Sequence, residues 1–469
     1  MKAKITRNTI IKLIVIILFL GIATPVVLAQ ADRSMYFLPI LPNARIVNPA
    51  IYPQYNFYIG VPFLSSVKTG IENTFNYEDI FQKRGDSLYL DREYLLSNLD
   101  DKNTVNLNFS EEILTFGFKA RKNYFHFRIA DIINSNVTIT KDLLRFGLYG
   151  NGSDYYMGKT INLSGNAVNL TYYREFSLGF TRQINPKINA GINLKYLQGI
   201  ANAYTKNLDV TIETDPNDFT ITAKSNIVLH SSLPGNDGND IKPLDVFTNT
   251  GNSGFAIDLG GSYVIDEKFT ASASLLNLGS INWKENLKTY KTENPSESFV
   301  FDGFDLNDFI SDKEINQEKI TSILDSIKDE LGIIEVKESY RSKTPSTMIL
   351  NLDYNLTQKD QFGFIFGSQF LEKEVWPTVS LGYTRKFNRN LNLMLSYSAS
   401  PQNYFNLGVG VAANLGPLQF YLINENFTAP FMLSKASFYV LRFGVSLVFG
   451  KNGPTQIKVD EPTPEQAVP

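Results

Sequence analysis

The stretch Phe438-Tyr439-Val440-Leu441-Arg442-Phe443-Gly444-Val445-Ser446-Leu447-Val448-Phe449 decides the fold class. Tyr439, Leu441, Phe443, Val445, Leu447 and Phe449 fall on one parity, and Arg442, Gly444 and Ser446 on the other. A period of two is that of an extended strand, because successive side chains point to opposite faces of a sheet. The pattern repeats upstream. Met348, Leu350, Leu352, Tyr354 and Leu356 alternate with Ile349, Asn351, Asp353 and Asn355. Val379, Leu381 and Tyr383 do the same, as do Leu391, Leu393, Leu395 and Tyr397, and then Phe405, Leu407, Val409 and Val411.

A soluble sandwich also alternates. A strand series that persists over so long a chain, behind a secretion-like leader and with no second fold signal, fits a membrane barrel better. Such strands put apolar side chains toward lipid and polar ones toward the lumen. The expected fold is therefore all-β: a transmembrane antiparallel β-barrel of about fourteen strands, an even number, spanning 63–450. Placed mid-strand, Arg at Phe443 should be damaging and Arg at Ser446 tolerated.

Composition agrees. Phe 34 and Tyr 24 supply material for lipid-facing bands, while mean hydropathy is only −0.13, since a barrel is apolar on one face alone. The 44 basic and 47 acidic residues leave no basic excess for nucleic acid. There is no cysteine, which excludes disulfides, thiol catalysis and a lipid-modified N-terminal cysteine. His126 and His230 are the only histidines, too few for a multi-histidine metal site.

Residues 1–29 read as a signal peptide: Lys2, Lys4, Arg7 and Lys12, an apolar core Leu13–Leu20, then Val27-Leu28-Ala29 as the cleavage site. Residues 30–62 carry Met35-Tyr36-Phe37-Leu38-Pro39 and Arg45-Ile46-Val47-Asn48-Pro49-Ala50, too rich in proline for a central strand. His126 and Arg128 share the polar parity of a hairpin about Arg121-Lys122-Asn123. A longer hairpin turns at Asn185-Pro186-Lys187. Arg174 sits on the apolar parity of Val168–Phe180, which implies a strand running past the membrane rather than a bulge.

Leu208–Glu213 and Phe219–Leu229 look polar on both faces, as a hairpin standing in water would be. Residues 140–166 look like a loop with one helical turn. Residues 281–346 interrupt the strands as a loop insert. Ser311-Asp312-Lys313-Glu314 is a capping box there, opening a helix over 311–331 with one apolar stripe. Prolines after Phe449 make 451–469 a disordered tail.

The phrases Leu38-Pro39-Ile40-Leu41-Pro42, Asn48-Pro49-Ala50, Tyr173-Arg174-Glu175-Phe176-Ser177-Leu178-Gly179-Phe180 and Lys195-Tyr196-Leu197-Gln198-Gly199 carry a resemblance. The chain resembles FadL-type outer-membrane barrels, in the Bacteroidetes branch with DUF5723-like proteins and the PorV and PorP/SprF proteins of type IX secretion. That resemblance implies residence in the outer membrane of a Gram-negative bacterium and a plug-like N-terminal segment at 30–62. It also implies one of two roles: passage of a small hydrophobic or amphipathic ligand, or docking of cell-surface secretion proteins.

Membrane lipid is the first expected partner under either role. An outer-membrane hydrolase is a distant third reading. His126 is the one histidine on a candidate lumen face, and no G-x-S-x-G motif accompanies it. No catalytic, metal or cofactor residues are assigned, and ligand-binding residues remain open. Lys195, Asp258, Asn351, Asp353 and Arg442 lie on polar parities and fit an interior network. Whether Asp353 and Arg442 belong to one network is a question for the structure.

Overall fold

The computed structural model describes residues 33–450 apart from 86, 151–152, 218–219, 235–250, 296, 302–327, 329–330, 371–374, 389, 401–402 and 433. The leader 1–29, nearly all of the 311–331 helix and the tail 451–469 lie outside the described residues.

Fourteen antiparallel strands close into a barrel. The first crossing is made in two pieces, Phe57–Gly60 and Val67–Asn73. Lys102–Ala120, Asn123–Thr140, Ala167–Asn185 and Ile188–Thr214 follow. Next come Ser253–Val264, Phe269–Trp283, Ser346–Asn355, Asp360–Phe370 and Val375–Lys386. Leu391–Ala399, Asn406–Leu415, Leu418–Asn424 and Phe438–Phe449 complete the set. The last strand pairs back onto both pieces of the first, Phe57 opposite Phe449 and Val67 opposite Phe443. No edge is left open, as a hydrocarbon environment requires of backbone groups.

The parity reading holds along the last strand: even-numbered positions are buried and odd-numbered ones face outward. Large apolar side chains stand bare around the wall, Leu178 at 64%, Phe255 at 72% and Leu395 at 56% exposure. An apolar belt so wide marks a lipid-facing surface. Short turns gather at one end, where aromatic rings run from strand to strand. Phe449 meets Phe57, and Phe118 meets Phe125, which meets Phe180. Phe269 meets Tyr354, and Phe362 meets Tyr383, on the other side of the same end. This is the girdle expected at a membrane–water boundary.

Arg174 keeps its outward parity without a bulge in its own strand, directly opposite Asp131. The irregularity lies in the neighbour, which carries Ile200 as an extra residue between the partners of Tyr172 and Tyr173. Arg174 makes a bidentate pair with Asp131 at 2.7 and 2.8 Å, and the Tyr172 hydroxyl donates to the same carboxylate. It stands eleven residues from Asn185. At ~3.3 Å per residue and ~45° of tilt that is roughly 25 Å, the height of an apolar band. The charge is at the boundary and paired there.

At the long-loop end the Ile188–Thr214 strand continues beyond the barrel and pairs with Ile221–Ser232. Leu287–Thr292 and Ser298–Phe301 add to the far side, and Ile333–Val336 pairs with Leu287–Thr292. Tyr340–Lys343 joins the barrel strand Phe269–Trp283. The 281–346 insert thus contributes strands, whose β-branched and aromatic residues suit a pleated surface.

The hairpin is not polar on both faces. Val210, Ile212, Ile221 and Ala223 are buried under Tyr156, Ile161 and Leu163, with Leu143 and Phe146 packed against them. The cover comes from 140–166, which holds a nine-residue helix, Lys141–Tyr149, and a short strand, Thr160–Asn162.

His230 lies in this outer sheet, its ring stacked 4.4 Å from Tyr340 and its Nδ1 3.0 Å from the Thr289 hydroxyl. Burial, then Lys206, hold its imidazole below the ordinary value, with Glu338 opposing. The unfolded histidine takes a proton near pH ~6.5, above the folded one. The outer sheet is therefore fully stable above about pH 6.5 and weakens as pH falls below it. Protease nicking of the outer sheet should accelerate between pH 7.5 and 5.5, and His230→Phe, which keeps the stack, should flatten that dependence.

Candidate functional site

The lumen is occupied by the chain's own N-terminal segment. Met35, Tyr36, Phe37, Leu38, Leu41, Ala44 and Val47 pack on inward residues of the wall, among them Leu276, Ile349, Ile365, Met394, Tyr421 and Ile423. A proline-rich segment has no ladder to satisfy its carbonyls, so the wall supplies donors. Thr384 donates to the Phe37 carbonyl at 2.8 Å, Ser274 to that of Val47 at 2.7 Å, and Thr181 to that of Pro49 at 2.6 Å.

Close approach needs bare backbone on the wall. A Cβ at Gly191 would fall 2.1 Å from the Pro49 carbonyl oxygen, and one at Gly260 2.2 Å from Asn48 Oδ1. Asn48 itself folds the turn. Its Oδ1 accepts from Ala50 N at 2.8 Å, and its Nδ2 donates to the Tyr36 hydroxyl at 2.6 Å. Arg45 sits among Tyr55, Tyr58 and Tyr124, its guanidinium 4.3 Å from the centre of the Tyr124 ring. It donates to the hydroxyls of Tyr55 and Tyr124 at 2.6 and 3.2 Å.

Beside this segment a ladder of alternating charge crosses the inner wall. Glu112 accepts from Arg128 at 2.9 Å, and Arg128 donates to Glu175 at 2.5 Å. Lys195 lies 3.4 Å from Glu175 and 2.7 Å from Asp258. Asn193 and the backbone of Asn277 complete Asp258 at 2.9 and 2.6 Å. All five charged residues are buried. Each comes from a different strand, so the ladder fastens five neighbouring strands to one another.

A cavity of about 120 Å³ opens between Ile46–Val47 of the segment and the wall. Its lining mixes Arg128, Glu175 and Lys195 of the ladder with Lys68, Arg442, Asn134, Tyr173, Leu276 and Ile349. Lys68 and Arg442 are direct cross-strand neighbours.

The polar-parity residues all face inward but form separate groups. Lys195 and Asp258 are in the ladder. Asn351 donates to Asp353 at 2.8 Å, and Arg442 donates to Ser66 at 2.6 Å. Asp353 and Arg442 do not meet. His126 points into the lumen against Gly179, its Nδ1 buried with no hydrogen-bond partner among the described residues. Glu112 and Glu175, the carboxylates that make the ladder continuous, were not singled out from sequence. Charged residues of alternating sign on the inward parity of successive strands were the available signal.

The profile of a family of unknown function, DUF5723, matches residues 49–424, well over half of the chain. The chain belongs to that family. No curated protein matches this DUF5723 sequence. Among solved structures it is similar to the Pseudomonas putida toluene transporter TodX, with 11% identity and a TM-score of 0.40, over 87% of this chain and 94% of that one. It is also similar to a Pseudomonas aeruginosa FadL homologue, with 8% identity and a TM-score of 0.41, over 88% and 95% of the two chains. Likenesses this distant say nothing about ligand. For this DUF5723 protein the barrel assignment rests on its own strand register and lipid-facing belt.

Proposed function

We propose that this DUF5723 protein is an outer-membrane barrel that holds a small hydrophobic or amphipathic ligand in its lumen and passes it when the N-terminal segment yields. The observation that carries this reading is the cavity between Ile46–Val47 and the wall, lined by apolar and polar side chains together. Ile46, Val47, Leu276 and Ile349 offer a ligand an apolar side, and Lys68, Arg128, Lys195 and Arg442 a cationic one, which suits an amphipathic molecule with an anionic end. In this reading residues 1–29 direct export and are removed. The plug is the part of 30–62 that precedes Phe57, because Phe57–Gly60 already belongs to the wall rather than to the lumen segment expected from sequence.

Docking of cell-surface secretion proteins is the second reading, and with it a kinship to PorV and PorP/SprF proteins. What favours it is the outer sheet built on the 202–232 hairpin, which has its own small apolar core and is more structure than ligand passage needs.

Native mass spectrometry of protein taken from outer membranes under mild detergent separates the two. A small molecule retained at about one per barrel, and lost when Ile349→Trp fills the cavity, supports the ligand reading. A lumen empty in every preparation, with a protein partner held instead, overturns it.

A further inference from the structure

Three parts of the chain that are distant in sequence meet on one carboxylate. Glu112 is 1% exposed. Its Oε2 accepts from Asn43 of the lumen segment at 2.7 Å and from the Ser65 hydroxyl at 2.8 Å, while Oε1 accepts from Arg128 at 2.9 Å.

Ser65 belongs to an insertion in the wall itself. Gly60 pairs with Ser446 and Val67 with Phe443, so the six residues 61–66 stand opposite only Gly444 and Val445. The surplus splits. Phe63 and Leu64 are thrown outward, at 53% and 47% exposure, whereas Ser65 and Ser66 turn inward and are buried. The Ser65 carbonyl lies so close under Gly444 that a Cβ there would come within 2.1 Å of its oxygen. Glu112 also stands at an irregularity, beside the extra residue Ile113 of its own strand.

A charge-assisted hydrogen bond in a buried site is strong and directional, and one carboxylate oxygen that accepts from two partners couples them. Arg128 has a second carboxylate in Glu175, so the ladder survives without Glu112. The insertion is also held by Arg442 through Ser66, and the segment by Thr384, Ser274 and Thr181, but Glu112 is the point at which both are held together.

We propose that Glu112 is a latch: it ties the lumen segment to the wall insertion, so that the segment is released only when residues 61–66 also shift. This goes beyond ligand holding and stands whether the cargo is a small molecule or none.

The chain has no cysteine, so Ala44→Cys gives a clean reporter next to Asn43. Ala44 is fully buried in the lumen. The rate at which a maleimide alkylates the introduced thiol is measured on folded protein, with heat-modifiable mobility confirming the barrel. Ser65→Ala, a wall change that leaves the donor Asn43 and its acceptor Glu112 unaltered, is expected to speed alkylation about tenfold, as loss of one bond to a charged group would. Glu112→Ala should do at least as much, and adding Ser65→Ala to it should do no more.

Rates within about twofold of the Ala44→Cys parent in both variants would overturn the latch. So would rapid alkylation of that parent, because the segment would then not be held. If Glu112→Ala fails to fold, the Ser65→Ala arm decides alone.

Discussion

Arginine at position 443 is expected to destabilise the barrel by ~2–4 kcal/mol, the depth-dependent cost of a charge on the lipid face near the bilayer midplane. Phe443 is central in Phe438–Phe449, faces outward and lies against the first strand through Val67 and against its other neighbour through Leu422. Neither neighbour offers a counter-charge. The informative control faces the other way. Asn134 is inward-facing and lines the cavity, where an added carboxylate meets Lys68, Arg128, Lys195 and Arg442. Asn134→Glu should therefore cost far less than Phe443→Arg. Urea midpoints of gel-shift unfolding read both.

Ser446, the inward site on the same strand that its parity alone makes look tolerant, is not the right control. It is buried at 2% exposure in a filled lumen, so arginine there would overpack. Equal losses at 443 and 134 would contradict the inside–outside assignment.

Arg128→Met is expected to cost about 3–5 kcal/mol, the price of breaking a buried ion pair from one side. The residue neutralises two carboxylates at once. Removing it leaves Glu175 with Lys195, but leaves Glu112 with only Asn43 and Ser65, neither of them charged. An uncompensated buried charge is the large term, not the loss of one contact. Adding Glu112→Gln to Arg128→Met should therefore recover a substantial part of the loss, although it changes a second residue. Additive damage in the double variant would mean that the ladder acts by packing rather than by charge.

Much of the architecture was legible because a lipid-facing wall imposes a strict period of two. The strand Phe438–Phe449 shows its inside and outside in its letters alone. Arg174 was also readable, since a charge on the outward parity has to be at the boundary or paired, and it is both. What sequence could not supply were contacts between parts far apart in the chain. The 208–229 hairpin does carry an apolar parity, Leu208, Val210 and Ile212 against Asp209, Thr211 and Glu213, but the segment that covers it, 140–166, lies too far away in the chain to be read beside it. The ladder was partly visible: Arg128, Lys195 and Asp258 stood out on polar parities. Glu112 and Glu175 are obscured because each adjoins another charge, Glu111 and Arg174, that faces the opposite way. The wall insertion at 61–66 has no periodic signature and emerges only from pairing to the strands on either side.

A barrel shut from within by its own N-terminal segment should not conduct ions until that segment is removed. Wild-type protein in planar bilayers should be silent or nearly so, because the lumen is packed from Met35 to Val47. Deleting residues 33–50, with heat-modifiable mobility retained, should yield stable open channels. A folded deletion variant that conducts no more than wild type would mean that the lumen is closed by something other than this segment.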